Sequence, residues 1–153
     1  MNRRNFLGLG LGLGAVAAAA VVPSSLSAID FRATKPKAWD ATSTEAAIKE
    51  IYGTSATTAS GVKLKAPDIA ENGAVIPITV SSKIDAKTVS IYQDANPESA
   101  VAVFTVPNGG IIDYSVRIKM QKTGNVTAVV EGKDGKLYSA AKLVKVTKGG
   151  CGG

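Results

Sequence analysis

From Ser60 onward, apolar and polar residues alternate along the chain, and this period of two is typical of strands with one buried face. The pattern is clearest between Ile112 and Met120, where every second residue is apolar. Turn residues separate seven such runs, which span 60–66, 74–80, 87–93, 100–106, 111–120, 125–131 and 136–147. Short strands at this spacing predict an all-β fold, an immunoglobulin-like antiparallel β-sandwich, for residues 29–147.

The residues between the runs indicate how the strands connect. Asp134-Gly135 favours a type I′ hairpin turn, because both central positions of that turn need positive φ. Lys122-Thr123-Gly124-Asn125 predicts a second hairpin, between runs 111–120 and 125–131. Pro77 has no N–H to donate, so the run around it is expected at a sheet edge or a bulge.

One short N-terminal helix is predicted ahead of the strands. Thr42-Ser43-Thr44-Glu45 has the spacing of a capping box, and Gly53 supplies the stop. The apolar residues between them share one helical face: Ala47, Ile48, Ile51 and Tyr52. Residues 29–41 contain Pro36 and Trp39 and are expected to form an extended segment.

Residues 1–28 have the features of an export signal. Arg3 and Arg4 precede an apolar stretch rich in glycine and alanine, and Ala28 is a suitable cleavage point. The arginine pair indicates the twin-arginine variant, so the mature protein is expected in the periplasm. A retained membrane anchor is the alternative. Against it, residues 5–22 contain four glycines and lie at the short end of lengths that span a bilayer.

Composition excludes several functional classes. The net charge is +6, and loss of Arg3 and Arg4 with the signal leaves +4, from 16 basic and 12 acidic residues. The scattered lysines form no arginine-rich or aromatic-interleaved patch, which argues against a nucleic-acid binder.

The chain has no histidine and one cysteine. Serine–histidine and cysteine–histidine catalysis, an intramolecular disulfide and a Cys/His zinc site are therefore excluded. An enzyme built on carboxylates and lysines remains open, although no acidic pair stands out by spacing.

The last residues of the chain carry the most distinctive chemistry, Gly149-Gly150-Cys151-Gly152-Gly153. Glycine neighbours offer no apolar cover and leave the backbone free, so Cys151 is expected to be an exposed thiol on a flexible arm, residues 148–153. From Thr147 the arm reaches at most about 23 Å. Lys142, Lys145 and Lys148 favour the thiolate modestly. Because the chain offers no general base, the pattern predicts a carrier whose chemistry is performed by other proteins.

Other roles for Cys151 fit the sequence less well. The main alternative is an exported structural or adhesive β-sandwich that is cross-linked by an intermolecular disulfide at Cys151. A buried structural cysteine lacks apolar neighbours, and prenylation needs three residues after the cysteine where two are present. An appended conjugation tag fits poorly with an intact export signal. A thiol peroxidase needs a pocket that lowers the thiol pKa, which flanking glycines do not provide.

These features together resemble the SoxY family, the sulfur-carrier subunits of the periplasmic thiosulfate-oxidising (Sox) multienzyme system. The resemblance covers essentially the whole chain, and the terminal Gly-Gly-Cys-Gly-Gly is its most specific part. It also rests on three further segments: Arg3-Arg4-Asn5-Phe6-Leu7, residues 69–78, and residues 117–119 through 125–129. The sequence departs from the family pattern at Asn96-Pro97-Glu98-Ser99, where a second proline is expected.

The resemblance implies a mechanism and a set of partners. Members of the family form a heterodimer with SoxZ, also a β-sandwich, and hold reaction intermediates on the terminal cysteine, here Cys151. The haem enzyme SoxXA would join thiosulfate to the sulfur, and the di-manganese hydrolase SoxB would release sulfate. Where the sulfur dehydrogenase SoxCD is present, it would oxidise the remaining sulfane sulfur. The glycines of the arm are Gly149, Gly150, Gly152 and Gly153, and no cofactor is expected in this subunit.

Overall fold

A computed structural model describes residues 28–149, which form three helical segments and eight strands. The helical segments are α1 (Phe31–Thr34), α2 (Pro36–Trp39) and α3 (Thr44–Tyr52). The strands are β1 (Val62–Lys65), β2 (Ile69–Ala70), β3 (Ile76–Ser82), β4 (Ala86–Gln93), β5 (Ala100–Thr105), β6 (Ile112–Ile118), β7 (Gly124–Gly132) and β8 (Leu137–Val146). The seven predicted strands are all present, and β2 is an additional strand of two residues.

The strands form two sheets that pack face to face, which confirms the predicted β-sandwich. One sheet has the order β1-β3-β6, and the other has the order β2-β8-β7-β4-β5. All pairs are antiparallel except β2 with β8. The side chains between the sheets are apolar and buried, and they include Ile76, Ile78, Val80, Val89, Ile91, Ile112, Ile118, Met120, Val126, Ala128, Val130 and Val144.

The helical segments cover the outer face of the five-stranded sheet. A second apolar cluster forms there from Ala38, Ala47, Ile48, Ile51, Tyr92, Val129 and Leu137. In α3, Ser43 accepts a hydrogen bond from the N–H of Ala46 (3.2 Å), and Gly53 has a φ of +79°. The helix and its stop are as predicted. Because Ser43 rather than Thr42 is the N-cap, Glu45 lies one position too early to complete a capping box.

The prediction that residues 29–41 are extended is wrong, since they contain two helical turns. Asp30 begins α1, where its carboxylate accepts hydrogen bonds from the N–H groups of Arg32 (3.0 Å) and Ala33 (3.2 Å). Trp39 in α2 donates from Nε1 to the carbonyl of Phe31 (3.2 Å). Each helical segment has four residues, which is too short for an apolar period to be visible in the sequence.

The two predicted hairpins have different outcomes. β7 and β8 form the expected hairpin, and Gly135 has a φ of +80°. The N–H of Gly135 donates to the carbonyl of Gly132 (3.0 Å). Residues 133–135 therefore form a three-residue loop in which Gly135 follows the turn, and the predicted type I′ turn is not formed. The hairpin between β6 and β7 is wrong, because β6 pairs with β3 and residues 119–123 cross to the other sheet.

Pro77 lies in β3, the middle strand of the three-stranded sheet. It is opposite Arg117 of β6, but β1 pairs with β3 only from Thr79 onward. At Pro77 the strand therefore has a neighbour on one side only, which makes this stretch a local edge. The prediction of an edge position holds for the residue although the strand itself is central.

Candidate functional site at the end of the last strand

The backbone that leads to the C-terminal glycines is fixed as far as Lys148. The N–H of Thr147 donates to the carbonyl of Ala70 (3.1 Å), and the carbonyl of Lys148 accepts from the N–H of Gly73 (2.8 Å). Lys148, predicted as the first residue of the arm, is thus hydrogen-bonded to the domain. The five residues that follow it, 149–153, reach at most about 17 Å when extended.

Gly73 links the end of β8 to the segment that follows β6. Its N–H binds Lys148, and its own carbonyl accepts a hydrogen bond from the N–H of Met120 (2.8 Å). Met120 is fully buried, and the side chain of Asn72 accepts from the N–H of Ala74 (2.9 Å). The short loop before β3 therefore connects the end of β8 to residues that are anchored in the core.

Gly149 lies directly against the backbone of Gln121. A Cβ at position 149 would overlap the carbonyl oxygen of Gln121, so this position accepts glycine because of a close approach as well as for flexibility. Gln121 is itself held, because its N–H donates to Oδ1 of Asn96 (2.9 Å), and Nδ2 of Asn96 donates to the carbonyl of Lys119 (2.8 Å). These contacts hold the backbone at Gly149, two residues before Cys151.

The loop that contains Asn96 is ordered by Gln93, a buried residue at the end of β4. Its Oε1 accepts from the N–H groups of Ala95 and Asn96 (both 2.7 Å), and its Nε2 donates to the carbonyl of Glu98 (2.6 Å). This is the loop in which the sequence departs from the SoxY pattern. Hydrogen bonds from one glutamine side chain hold it without the second proline.

The three lysines that were predicted near the thiol differ in their surroundings. Nζ of Lys142 donates to the carbonyl of Ala66 (2.6 Å) and lies 3.0 Å from the carboxylate of Asp68. Lys145 and Lys148 are exposed. Because Lys142 is paired with a carboxylate, its charge contributes less to the C-terminal segment than the sequence suggested.

Most of the predicted site residues lie outside residues 28–149, and their roles stay predictions. These are Cys151, Gly150, Gly152 and Gly153 of the arm and Arg3 and Arg4 of the signal. Within residues 28–149, no three acidic, cysteine or histidine side chains are grouped so that they could hold a metal ion. The same part of the chain contains no helix long and apolar enough to cross a membrane.

A buried polar cluster that the sequence pattern does not predict lies beneath α3. The hydroxyl of Tyr52 lies 2.9 Å from that of Thr88 and 2.8 Å from that of Ser90. Thr88 in turn donates to the carboxylate of Glu131 (3.0 Å). Burial raises the pKa of Tyr52, while its hydrogen bonds to the two hydroxyls act in the opposite direction. The cluster ties α3 to the outer face of the sheet.

Tyr92 lies beside this cluster on the same face of β4. Its side chain is fully buried, and among residues 28–149 no group accepts from or donates to its hydroxyl. Burial raises the pKa of Tyr92 strongly, and the nearby Tyr52 adds to the shift. The signal in the sequence was the period of two along β4, which places Thr88, Ser90 and Tyr92 on the face opposite Val89 and Ile91.

Comparison with known proteins places this fold in a family. Residues 48–151, more than half of the chain, match the family model described as sulfur oxidation protein SoxY. The sulfur carrier protein SoxY from Chlorobium limicola f. thiosulfatophilum has a similar structure, with a TM-score of 0.63 and 40% identity over 72% of this chain and 96% of that chain. No curated protein matches the sequence significantly.

A more distant likeness shows the fold alone. Superoxide reductase (neelaredoxin) from Ignicoccus hospitalis aligns with a TM-score of 0.51 and 19% identity, over 57% of this chain and 80% of that chain. The family-model match, by contrast, extends through the C-terminal strand to residue 151. Together with the 40% identity to a solved member, this match identifies the chain as a member of the SoxY family of sulfur oxidation proteins.

Proposed function

We propose that this protein carries thiosulfate-derived sulfur covalently on Cys151 and presents it in turn to the enzymes that oxidise it. The observation that carries the proposal is the fixed chain up to Gly149, followed two residues later by the single cysteine. A thiol at the end of a short segment on a rigid domain can enter the cleft of an enzyme while the domain stays outside. Membership of the SoxY family supports thiosulfate-derived sulfur as the group that is carried.

The loading step is an oxidation and needs an electron acceptor. The thiolate of Cys151 joins the outer sulfur of thiosulfate, a sulfur–sulfur bond forms, and two electrons leave. In the proposed system the haem enzyme SoxXA accepts them. The adduct, Cys–S–S–SO₃⁻, is then hydrolysed by SoxB, in which water supplies the oxygen of the released sulfate and a persulfide remains on Cys151. Where SoxCD is present, it oxidises that persulfide before a second hydrolysis.

The chain itself supplies the attachment point and not the catalysis. It has no histidine, and the buried polar groups of Tyr52, Thr88 and Ser90 lie beneath α3 on the outer face of the sheet. A carrier without its own base does not turn over its adduct prematurely, because hydrolysis waits for a partner enzyme. We therefore propose a non-catalytic subunit.

The proposal includes export and a partner. The twin-arginine signal with Arg3 and Arg4 would deliver the folded protein to the periplasm, with cleavage near Ala28. There it would form a heterodimer with SoxZ and meet SoxXA, SoxB and, where present, SoxCD only transiently. Lys145 and Lys148 are exposed and would favour the anionic adducts through their charge.

Intact-mass spectrometry of the protein from thiosulfate-grown cells tests the proposal. We expect species heavier than the mature chain by the sulfur of a persulfide or by the S₂O₃ of a thiosulfate adduct, both removed by reductant. The Cys151→Ser variant is the matched control and should carry neither. If the wild-type protein never bears sulfur on Cys151 and is found only as a disulfide dimer, the cross-linking role is correct and the carrier role is not.

A further inference from the structure

The two sides of the sandwich are closed to different degrees. On one side β1 approaches β8, Lys142 binds Ala66 and Asp68, and Thr58 forms a bridge with Tyr138. On the other side β5 and β6 are the last strands of their sheets, and within residues 28–149 no strand pairs with their outer edges. The rings of Phe104 and Tyr114 meet across this open side, with centroids 5.2 Å apart.

The open edge of β5 has few of the features that usually protect an edge strand. Exposed edges are normally short, charged, bulged away or interrupted by proline, since their free backbone groups pair with other strands. β6 carries Asp113 and Arg117, and β1 is short and carries Lys63 and Lys65. β5 has one bulge, at Val101 near its start, and it pairs regularly with β4 from Ala102 to Thr105. Its six residues, Ala-Val-Ala-Val-Phe-Thr, include no charge and no proline.

The exposure of β5 comes from its edge and not from its faces. Ala100 and Val103 pack in the cluster beneath the helices, whereas Val101 and Phe104 pack against the core between the sheets. Even so, all residues from Ala100 to Phe104 are only half-buried. Because both faces are covered, the surface that remains is the side of the strand itself, where another strand would lie.

The direction of the free backbone groups follows from one hydrogen bond. The N–H of Val106 donates to the carbonyl of Lys87 (2.8 Å), which makes this a hydrogen-bonded pair of the β4–β5 ladder. Such pairs alternate with non-bonded pairs in antiparallel strands. Thr105, opposite Thr88, and Val103, opposite Ser90, therefore direct their N–H and carbonyl groups toward the open edge.

We propose that β5 receives an uncharged edge strand from the second β-sandwich subunit of the carrier complex. The proposal rests on the heterodimer of the proposed function. Two arguments from charge restrict which protein can supply the added strand. An inward-facing charge on the added strand would lie unpaired beside Phe104 and Tyr114, so that strand is apolar. The mature chain would carry +4, so a second copy is opposed by like charge, whereas a neutral or acidic subunit is not.

The test measures binding of purified SoxZ to the mature chain by isothermal titration calorimetry. Val103→Pro removes an edge-directed N–H and adds a ring in the path of the added strand, and we expect at least about a tenfold rise in Kd. Thr105→Lys adds a charge beside the edge with little loss of packing, and we expect a rise of severalfold. Ala141→Lys is the matched control, because Ala141 is exposed on β8, three strands away. It adds the same charge and should change Kd by less than about twofold.

Circular dichroism and thermal unfolding establish that each variant is folded, and hydrogen exchange of the wild-type complex should show protection at the amides of Val103 and Thr105. Folded Val103→Pro and Thr105→Lys variants that bind SoxZ like the wild type would overturn the assignment. So would a wild-type homodimer that Val103→Pro dissociates, since the occupant would then be a second copy. If wild-type protein does not bind SoxZ, the heterodimer and the edge assignment are both wrong. Sulfur on Cys151, measured separately by mass, still tests the carrier role.

Discussion

Replacing Tyr92 with phenylalanine should stabilise the protein, because its hydroxyl is buried and no group within residues 28–149 pairs with it. The side chain is fully buried. The hydroxyls of Ser90 and Tyr52 lie nearby, but within residues 28–149 no atom has hydrogen-bond geometry to the Tyr92 hydroxyl. A buried unsatisfied hydroxyl costs about 1–3 kcal/mol. The phenylalanine ring keeps the packing beneath α3 but leaves a small void, so we expect a net gain of about 1 kcal/mol in the free energy of unfolding.

Urea-induced unfolding, monitored by circular dichroism, measures the change in the free energy of unfolding. In thermal unfolding, a gain of about 1 kcal/mol should raise Tm by about 4 °C. Tyr52→Phe is the matched control. It removes a hydroxyl that is bonded to Thr88 and Ser90, so it should lower the free energy of unfolding by about 1–2 kcal/mol. If Tyr92→Phe is destabilising, its hydroxyl forms a stabilising hydrogen bond in solution and the reasoning fails.

Three further predictions concern stability. Burial raises the pKa of both Tyr52 and Tyr92 in the folded state. The stabilisation that the two tyrosines contribute is therefore complete below the unfolded-state pKa, near 10, and is lost as pH rises above it. The urea concentration at the unfolding midpoint should fall above about pH 10, and it should fall less in Tyr52→Phe. Gly149→Ala should lower the free energy of unfolding by about 1–3 kcal/mol, because its Cβ would overlap the carbonyl of Gln121, while iodoacetamide still alkylates Cys151 at the wild-type rate. Met120→Ala should cost about 2–5 kcal/mol in urea unfolding, since this fully buried side chain fills the core where the chain crosses between sheets.

The sequence predicts the strands well because burial imposes a period of two on each of them. Ile112 and Ile118 are buried and the residues between them alternate, as the pattern indicates. What the pattern lacks is the pairing partner of each strand. The turn-like sequence around Thr123 fits a hairpin locally, but it serves a crossover in which the Thr123 hydroxyl accepts a hydrogen bond from the N–H of Val146 (2.9 Å). That contact depends on two segments distant in sequence, so local turn chemistry does not reveal it.

The candidate site, like the fold, is only partly predictable from the sequence. The terminal glycines and Cys151 are visible as a motif, and their proposed chemistry follows from composition and resemblance. The backbone contacts that hold Lys148 and Gly149 are not visible, because they join Gly73, Met120 and Gln121 from different parts of the chain. The polar cluster around Tyr52 was missed for a related reason. A tyrosine on the apolar face of a helix predicts packing, and its hydroxyl finds its partners only when α3 lies on β4.

The sheet order separates the two surfaces that a carrier needs. β8, from which the cysteine segment leaves, and β5, the proposed docking edge, are separated by β7 and β4. At about 4.8 Å per strand, β5 lies about 14 Å from β8 and an added strand about 19 Å from it. A segment that begins after Lys148 reaches at most about 17 Å. A subunit docked on β5 would therefore leave the end of β8 free, and under the proposed function an enzyme that acts on Cys151 would have to approach this end of the sandwich closely.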